Sequence, residues 1–525
     1  MSDTYDVVVA GAGHNGLIVA AYLAKAGFRV VVVEARDGIG GDTATEELTL
    51  PGFRHDTCST AHNLIQANPL LRDDELGLFD HGLEYLRPDP VVHMPFPDGS
   101  SITQWLDVDR TIEGFARFSR RDADALRRML ADYDAVKGAF GGARNTPIGW
   151  GPTLRERLAA GPHAERWIRR IAQSAWDVIQ EEFEDEHTRA FLLGIAFMTV
   201  QPPDRPGTGP LVASLLYGRQ HQSWTLPRRG SASLPASLAR VIEHHGGEIV
   251  VDRPVTGLLV EGGRCVGIET SDGSVFRGSK AVVSSIHVRH LLDMAPRDAW
   301  DEGWAYAVER WRGGPSMFVT HHATSVAPSF PVDGGALTPV TAMIVTSVDR
   351  MLRIGGDYAR GVVVADDPVV LSICATVEDP TRAPAGQHTL NVVGFQPYDL
   401  PEGPERWDAI KDDVSAAHVT QLRRYAPNLT DDTILGSLVR SPLDLERFNA
   451  HNFRGSCHGG DQSPAQSGEL RPAYGWAAHR TPIDGLYQTG STTYPGASVS
   501  GDPGRNAAQV LLRDLGTSLE AVIHG

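Results

Sequence analysis

At 525 residues the chain is long enough for two or three domains around a large hydrophobic core. Its net charge of −17 argues against a general nucleic-acid-binding surface. The first predicted strand begins almost at the N-terminus without a signal-peptide pattern, and no apolar run reaches the roughly 18 residues of a membrane span. We therefore predict a cytoplasmic protein with no integral membrane span and leave peripheral membrane docking open.

The first forty residues have the pattern of a βαβ unit. Residues 5–10 form an apolar, β-branched run that predicts a buried strand, and residues 17–26 predict a helix. Residues 28–33 predict a second buried strand, with Glu34 at its end. Between the first strand and the helix stands a G-x-G-x-x-G motif, which is the dinucleotide-binding pattern in its required place. Its residues are Gly11, Ala12, Gly13, His14, Asn15 and Gly16.

Each part of this motif has a physical task. Gly11 allows a tight turn, Gly13 lets the backbone approach a pyrophosphate, and Gly16 lets the helix pack close to the strand. The free N–H groups and the positive dipole end at the helix start can bind phosphate. Glu34 is placed to accept hydrogen bonds from the adenosine ribose.

The segment after Glu34 indicates which dinucleotide the motif binds. It resembles the E-A-x-x-x-x-G-G segment of the flavoproteins that include amine oxidases, phytoene desaturases and GDP-dissociation inhibitors. In that group the glycine pair brings a second loop against the FAD pyrophosphate and ribityl chain. Asp42 stands where amine oxidases usually have arginine, so we expect it to face a ribityl hydroxyl or solvent. The cofactor-binding candidates here are Glu34, Ala35, Arg36, Gly40, Gly41, Asp42 and Thr43.

Residues 45–56 alternate like a hairpin and lead into a loop of small polar residues at 57–63. In flavoproteins of this group the equivalent loop passes the isoalloxazine ring. The resemblance therefore makes Ser59 a cofactor-binding candidate and His62 a catalytic candidate. The alternative for His62 is a purely structural histidine in a loop.

The predicted secondary structure changes twice in the middle of the chain. Helical periodicity dominates from residue 112 to about 217, with predicted helices over 122–136, 153–158 and 164–183. We predict that this insertion is a helical cap. Its apolar stripe either packs into a core or lines a tunnel for a lipophilic substrate. Strand-like segments from 317 to 395 then predict a mostly antiparallel second sheet.

Residues 248–285 resemble the returning half of an FAD domain. The resemblance places the backbone beside Val255 near the adenine and adds Ser284 as a cofactor-binding candidate. Four cysteines lie far apart, so a C-x-x-C redox centre is excluded and reduced thiols are the default. No metal-ligand spacing occurs, and we predict no metal site.

The C-terminal segment carries the second signature. A strand ending at Gly490, a glycine- and hydroxyl-rich loop at 491–501 and a helix over 502–515 resemble the closing FAD segment of phytoene desaturase-like flavoproteins. A helix N-terminus there would stabilise negative charge at flavin N1 and O2. The cofactor-binding candidates are Gly490, Ser491, Val499 and Ser500, and the further catalytic candidates are His458 and Tyr494. Tyr494 either borders the ring or packs under the loop.

Together these segments identify the chain as similar to phytoene desaturase-related FAD oxidoreductases, closest to the branch typified by pyridine nucleotide-disulphide oxidoreductase domain-containing protein 2. The resemblance implies an α/β fold with a discontinuous Rossmann-type FAD-binding domain (1–90, 222–300 and 450–525). It also implies a mainly helical cap (91–221) and a substrate-binding domain with a mixed antiparallel sheet (301–449).

The implied function is an FAD-dependent dehydrogenase or desaturase that takes hydride from a small or lipophilic, mainly apolar substrate onto flavin N5. Oxygen or a quinone would serve as electron acceptor. Two alternatives stay open. One is a flavin amine oxidase, and the other is a non-catalytic binding protein of the GDP-dissociation-inhibitor kind.

Overall fold

The computed structural model describes residues 4–496 and 498–525; Ala497, in the predicted closing loop, lies outside the described residues. The strands are β1 (Thr4–Ala10), β2 (Val30–Val33), β3 (Thr45–Glu47), β4 (Arg54–Asp56), β5 (Tyr85–Leu86), β6 (Val92–Pro95), β7 (Ser101–Gln104), β8 (Leu226–Pro227), β9 (Glu248–Val250), β10 (Val255–Glu261), β11 (Arg264–Thr270), β12 (Val275–Ser284), β13 (Ser316–Thr324), β14 (Phe330–Val332), β15 (Gly335–Leu337), β16 (Thr341–Ile344), β17 (Val370–Ile373), β18 (His388–Gln396), β19 (Ile434–Arg440) and β20 (Leu486–Gln488).

The α-helices follow the same chain order. They are α1 (His14–Lys25), α2 (Pro69–Arg72), α3 (Val108–Ala116), α4 (Arg120–Arg144), α5 (Leu154–Ala159), α6 (Ala164–Arg170), α7 (Ala175–Glu182), α8 (Glu186–Phe197), α9 (Gly209–Gln222), α10 (Ser233–His244), α11 (Val288–Leu292), α12 (Glu302–Glu309), α13 (Val348–Ala359), α14 (Trp407–Arg423), α15 (Pro442–Phe448), α16 (Asp502–Asp514) and α17 (Leu519–His524).

The first sheet has the order β10-β11-β12-β1-β2-β9, with β20 paired to the C-terminal half of β12. Neighbouring strands among β20, β12, β1, β2 and β9 pair in parallel, whereas β11 pairs antiparallel with both β10 and β12. The valines of β1 and β2 are fully buried, as parallel strands covered on both faces require. Helix α1 packs against both α10 and α16. The predicted Rossmann-type sheet is confirmed.

The second sheet has the order β19-β13-β18-β17-β16-β6-β7. All of its pairs are antiparallel except β16 with β6, so the predicted mixed antiparallel sheet is also confirmed. Strands β6 and β7 lie within 91–221, the range predicted as the helical cap, yet they form the edge of this sheet. The division into three domains stays a prediction, and this pairing bears on its boundary at residue 91.

Helices α3 to α9 form a layer whose apolar side chains share one core with the second sheet. The single helix predicted over 164–183 is two helices, α6 and α7. Helix α7 starts afresh because the Ser174 hydroxyl accepts a hydrogen bond from Asp177 N (3.0 Å), while the Asp177 carboxylate accepts one from Ser174 N (2.8 Å). Among residues 4–496 and 498–525, no helix combines the length and apolar character that a membrane span requires.

A buried ion triad holds three separated segments of the chain together. Arg382, which is 1% exposed, pairs with Asp56 at the end of β4 (2.6 Å) and with Asp379 (2.9 Å). Its remaining terminal nitrogen donates to the Pro227 carbonyl (2.8 Å). The three acceptors come from three separated segments, so one guanidinium holds them in a fixed arrangement.

We expect Arg382→Met to lower the free energy of unfolding by about 3–5 kcal/mol, because it leaves two buried carboxylates without their cation. The control is Arg117→Met, which removes an exposed pair with Asp333 and should change stability by less than about 1 kcal/mol. Urea denaturation followed by tryptophan fluorescence measures both. Equal effects of the two substitutions would contradict a structural role for the triad.

Candidate functional site

A cavity of about 630 Å³ lies between the glycine-rich end of the first sheet and the inner face of the second sheet. Its first wall comes from the segments at 11–16, 33–43, 254–255, 285–290 and 490–499. Its opposite wall comes from α8, α9 and the second sheet and is largely apolar. The apolar side chains of that wall are Met198, Val200, Leu215, Met343, Leu371, Ile373, Val393 and Phe395.

The three glycines of the first motif have three different geometries. Gly11 has a φ of +97°, so the turn requires glycine there. A Cβ on Gly16 would lie 2.4 Å from the Gly11 carbonyl oxygen, which keeps helix and strand close. A Cβ on Gly13 would meet no protein atom within 4 Å. The space beside Gly13 is therefore open cavity at the start of α1, as the approach of a pyrophosphate requires.

The first helix start carries no side-chain cap, and Gly13 occupies the cap position. Asn15, in the first turn, accepts a hydrogen bond from Gly504 N in the first turn of α16 (3.1 Å) through its Oδ1. The C-terminal segment therefore reaches the N-terminal motif, and Gly13 and Val499 line the same cavity. The helix N-terminus offers unpaired N–H groups and a positive dipole end to an anion.

Glu34 lines the cavity and also fixes the loops around it. Its Oε2 accepts a hydrogen bond from Ala12 N (2.6 Å) and its Oε1 accepts one from Arg36 N (3.0 Å). The glycine pair is tied in as well, because Gly40 N donates to the Ala12 carbonyl (2.8 Å). A carboxylate oxygen can accept more than one hydrogen bond, so Glu34 retains the capacity to bind a ribose hydroxyl.

Asp42 faces the cavity and is half-buried. Its Oδ1 accepts hydrogen bonds from Asn449 Nδ2 (2.9 Å) and Asn452 Nδ2 (3.1 Å). Burial raises the pKa of Asp42 to about 6, against the effect of these amide donors. At neutral pH the side chain is a carboxylate that takes up a proton in mildly acidic solution.

Most of the predicted cofactor-binding residues converge on this cavity. Those that line it are Gly11, Gly13, His14, Asn15, Gly16, Glu34, Ala35, Arg36, Gly40, Gly41, Asp42, Thr43, Ser59, Val255, Gly490, Ser491 and Val499. Ala12, Ser284 and Ser500 lie just behind it. Ser285 lines the cavity in place of Ser284, and the Ser500 hydroxyl accepts a hydrogen bond from Asp502 N (3.3 Å) at the start of α16.

The three catalytic candidates separate in the structure. His458 lines the cavity. His62 is fully buried outside the cavity, with its ring nitrogens on Tyr85 (3.1 Å) and Ser231 (2.7 Å). The Tyr494 hydroxyl donates to the Ala143 carbonyl (2.8 Å), so the ring packs beneath the closing loop. These contacts give His62 and Tyr494 positions that support the loops around the site.

Several cavity residues were not anticipated from the sequence. They are Arg219 in the last turn of α9, Trp224 just after that helix, His287, His451 and the methionines 198, 294, 317 and 343. Helical periodicity marks α9 as a helix but gives no sign of which face meets the cavity. Among the described residues no group of three or more potential ligands could hold a metal ion.

Burial decides the charge of most cavity histidines. It lowers the pKa of His14 and of His451 to about 4, with a further contribution from neighbouring histidine charge. His458 differs: burial opposes its protonation, but the adjacent Cys457 raises its pKa above the usual value. His14 and His451 are therefore neutral at pH 7, while His458 tends towards the imidazolium.

Cys58 and Cys457 lie on the same wall, and their side chains share a hydrogen bond. Both thiols are free. The hydrogen bond from Cys58, together with the charge of His458, holds the pKa of Cys457 well below its usual range, and the same contact raises the pKa of Cys58. The fold thus brings together two cysteines that the sequence spacing keeps apart, and the lowered pKa favours the thiolate form of Cys457.

We expect iodoacetamide to alkylate Cys457 at a lower pH than a free cysteine, whose pKa is about 8.5. Cys58→Ala should raise the pH midpoint of labelling because it removes the hydrogen-bond donor, whereas Cys58→Ser should retain most of the shift. Peptide mass spectrometry over a pH series measures each site, with buried Cys265 and Cys374 as internal controls. A Cys457 midpoint at or above that of free cysteine would contradict this assignment.

Known proteins resemble this chain over nearly its whole length. The family model of flavin containing amine oxidoreductases matches residues 16–512. A polypeptide of limonene dehydrogenase from Castellaniella defragrans is 27% identical over 98% of this chain and 95% of its own length. Pyridine nucleotide-disulfide oxidoreductase domain-containing protein 2 from Rattus norvegicus is 28% identical, over 97% and 94%. A neurosporene-forming phytoene desaturase from Cereibacter sphaeroides is 26% identical, over 95% and 93%.

A solved structure has the same fold. Putrescine oxidase, solved with bound putrescine, aligns with a TM-score of 0.61 at 15% identity and covers 98% of this chain and 99% of its own. The shared fold includes both sheets, and the family match spans the dinucleotide motif from Gly16 to the closing helix α16. The chain belongs to the family of flavin-containing amine oxidoreductases, which includes relatives of phytoene desaturase type, and its cofactor is FAD.

Proposed function

We propose that this protein is an FAD-dependent dehydrogenase or desaturase that removes hydride from a carbon of a lipophilic organic substrate. When bound, FAD supplies the hydride acceptor at flavin N5. Loss of hydride from one atom and of a proton from its neighbour leaves a C=C or C=N bond. Oxygen or a quinone, as a two-electron acceptor, would return the cofactor to its oxidised form.

The observation that carries this proposal is the composition of the two cavity walls. One wall is a glycine-rich cradle suited to a dinucleotide. The facing wall is formed by the apolar residues of α8, α9 and the second sheet. Apolar walls desolvate a hydrocarbon substrate favourably and exclude water from the reacting carbon.

Different residues of the chain would bind the cofactor and accept the substrate proton. The cradle of Gly13, Asn15 and Glu34 would hold the adenosine and pyrophosphate, while the backbone around Val499 would support the flavin ring. Asp42 is a carboxylate above about pH 6 and lines the cavity, so it can accept the proton lost from the substrate. His458, whose pKa is raised by the adjacent Cys457, lies on the same wall.

A flavin amine oxidase is the second candidate. The family name and the fold shared with putrescine oxidase favour it. Two residues argue against it, because the Arg219 guanidinium would repel an ammonium substrate and Asp42 stands at a position that is usually arginine in amine oxidases. The proposal retains the division into three domains. They are an FAD-binding domain (1–90, 222–300 and 450–525), a mainly helical cap (91–221) and a substrate-binding domain (301–449).

The cradle is tested by two alanine substitutions. Gly13→Ala introduces a Cβ into open cavity and should weaken FAD binding by on the order of tenfold or more, which equals at least about 1.4 kcal/mol, without changing apoprotein stability. Gly16→Ala places a Cβ 2.4 Å from the Gly11 carbonyl and should instead destabilise the fold by about 1–3 kcal/mol. Apoprotein reconstitution and thermal unfolding measure both. Full FAD affinity in Gly13→Ala would contradict the cradle.

The reaction class is tested by anaerobic mixing of the holoenzyme with two substrate panels. Terpenes, carotenoids and enones form the first panel, and primary and secondary amines form the second. We expect flavin bleaching with members of the first panel only, and a bleaching rate that falls as the pH is lowered through about 6 and Asp42 is protonated. The Asp42→Asn variant should lose that pH dependence. Bleaching by amines alone would favour the amine oxidase, and no bleaching by either panel despite bound FAD would favour a binding protein.

A further inference from the structure

The cavity wall contains a buried cation with no carboxylate partner in the described part of the chain. Arg219 is 7% exposed, lines the cavity and pairs with no carboxylate of the described residues. Its Nε and Nη1 atoms are buried and have no hydrogen-bond acceptor among those residues. Burial lowers the pKa of Arg219 to about 10, so the guanidinium remains charged at neutral pH. An unpaired buried charge is costly, and proteins retain one where a ligand neutralises it.

A second orphaned donor lies beside it. Trp224 is 4% exposed and also lines the cavity, and the Arg219 guanidinium stacks over its ring at 5.0 Å. The indole Nε1 is buried without an acceptor in the described part of the chain. Buried donors are almost always hydrogen-bonded, and these orphaned donors belong to two side chains that line the cavity, where a ligand can supply the missing acceptor. A carboxylate accepts from several such donors at once.

The surroundings place this site at the substrate end of the cavity. Leu215 precedes Arg219 by one helical turn on the same face of α9, and it belongs to the apolar wall. Trp224 follows Ser223, whose carbonyl accepts a hydrogen bond from Asn63 Nδ2 (2.6 Å). The loop at 57–63 is the one that the family resemblance brings past the flavin ring. The donors therefore lie between that loop and the apolar wall.

We propose that Arg219 and Trp224 form an anion subsite that binds the carboxylate of an otherwise apolar substrate. This inference rests on the proposed function, because it assigns the substrate class of that same cavity. The apolar wall would hold the hydrocarbon body, and the guanidinium would anchor one end and orient the carbon that loses hydride. The substrate class is thus an apolar carboxylic acid rather than a neutral hydrocarbon or an amine.

The chain provides a matched control. Arg170, at the end of α6, is 4% exposed and stacks over Trp167 at 5.1 Å, as Arg219 does over Trp224. Arg170 Nη1 and Trp167 Nε1 also lack acceptors among the described residues, but this pair lies off the cavity, and Arg170 pairs with Glu182 (2.6 Å). Arg170→Met therefore removes a buried, tryptophan-stacked arginine of the same helical layer without touching the proposed subsite.

The test compares octanoate with octanamide as probes of the FAD-loaded protein. Equilibrium dialysis and the flavin difference spectrum give the dissociation constants. We expect the wild type and Arg170→Met to bind octanoate roughly 10- to 100-fold more tightly than octanamide, the range of a charge-assisted hydrogen-bonded pair. Arg219→Met should lose this preference while its affinity for octanamide is unchanged, and Arg219→Lys should retain part of it.

Three results would overturn the subsite. They are equal binding of both probes by the wild type, a preference that survives in Arg219→Met, and a shifted flavin reduction potential in ligand-free Arg219→Met with unchanged octanoate affinity. The last would place the donors on the flavin itself. If Arg219→Met does not fold, Arg219→Lys decides the question alone. Because the readout is binding, its failure is distinct from a failure of flavin reduction in the substrate panels.

Discussion

The structure depends on the close approach of two helix starts that lie at opposite ends of the sequence. A Cβ on Gly504 would lie 2.8 Å from the Asn15 carbonyl oxygen and 2.9 Å from Ile18 Cβ, so only glycine lets α16 come this close to α1. The Asn15 side chain then bonds to Gly504 N. This contact brings the closing loop to the N-terminal motif, and the cavity exists because the two are adjacent. The start of α1 and the last loop of the chain become two parts of one wall.

Desolvation shifts the protonation equilibria of the residues that line the cavity. It removes the charge of His14 and His451 and lets Asp42 hold its proton up to about pH 6. Asp42 is charged at neutral pH while it accepts two amide hydrogen bonds. The guanidinium on α9 is too basic to lose its proton, and the contact between Cys457 and His458 favours the charged form of each. The cavity therefore presents few charges to a substrate, and each one it keeps restricts what can bind.

The parts of the fold that depend on local sequence could be predicted. The βαβ unit, the hairpin at 45–56 and the α16 helix follow from periodicity and glycine placement, and the structure confirms them. Long-range pairing could not be predicted, since nothing in the sequence of β6 and β7 shows that they join the second sheet. The same holds for the site. The glycine motifs identify the cofactor cradle, whereas the Cys58–Cys457 contact depends on tertiary packing of distant segments and Arg219 on which face of α9 turns inward.

Half of the eight methionines in the chain, Met198, Met294, Met317 and Met343, line the same cavity as Cys58 and Cys457. Thioethers adapt their shape to irregular apolar ligands, which would suit the flexible hydrocarbon substrate proposed for this pocket. The methionines also make the pocket sensitive to peroxide, because oxidation to the sulfoxide turns an apolar side chain into a polar one. If oxygen were the acceptor, each turnover would release hydrogen peroxide among six sulfur atoms. Transfer of the electrons to a quinone would form no peroxide. The oxidative stability of these sulfur atoms therefore depends on which electron acceptor the protein uses.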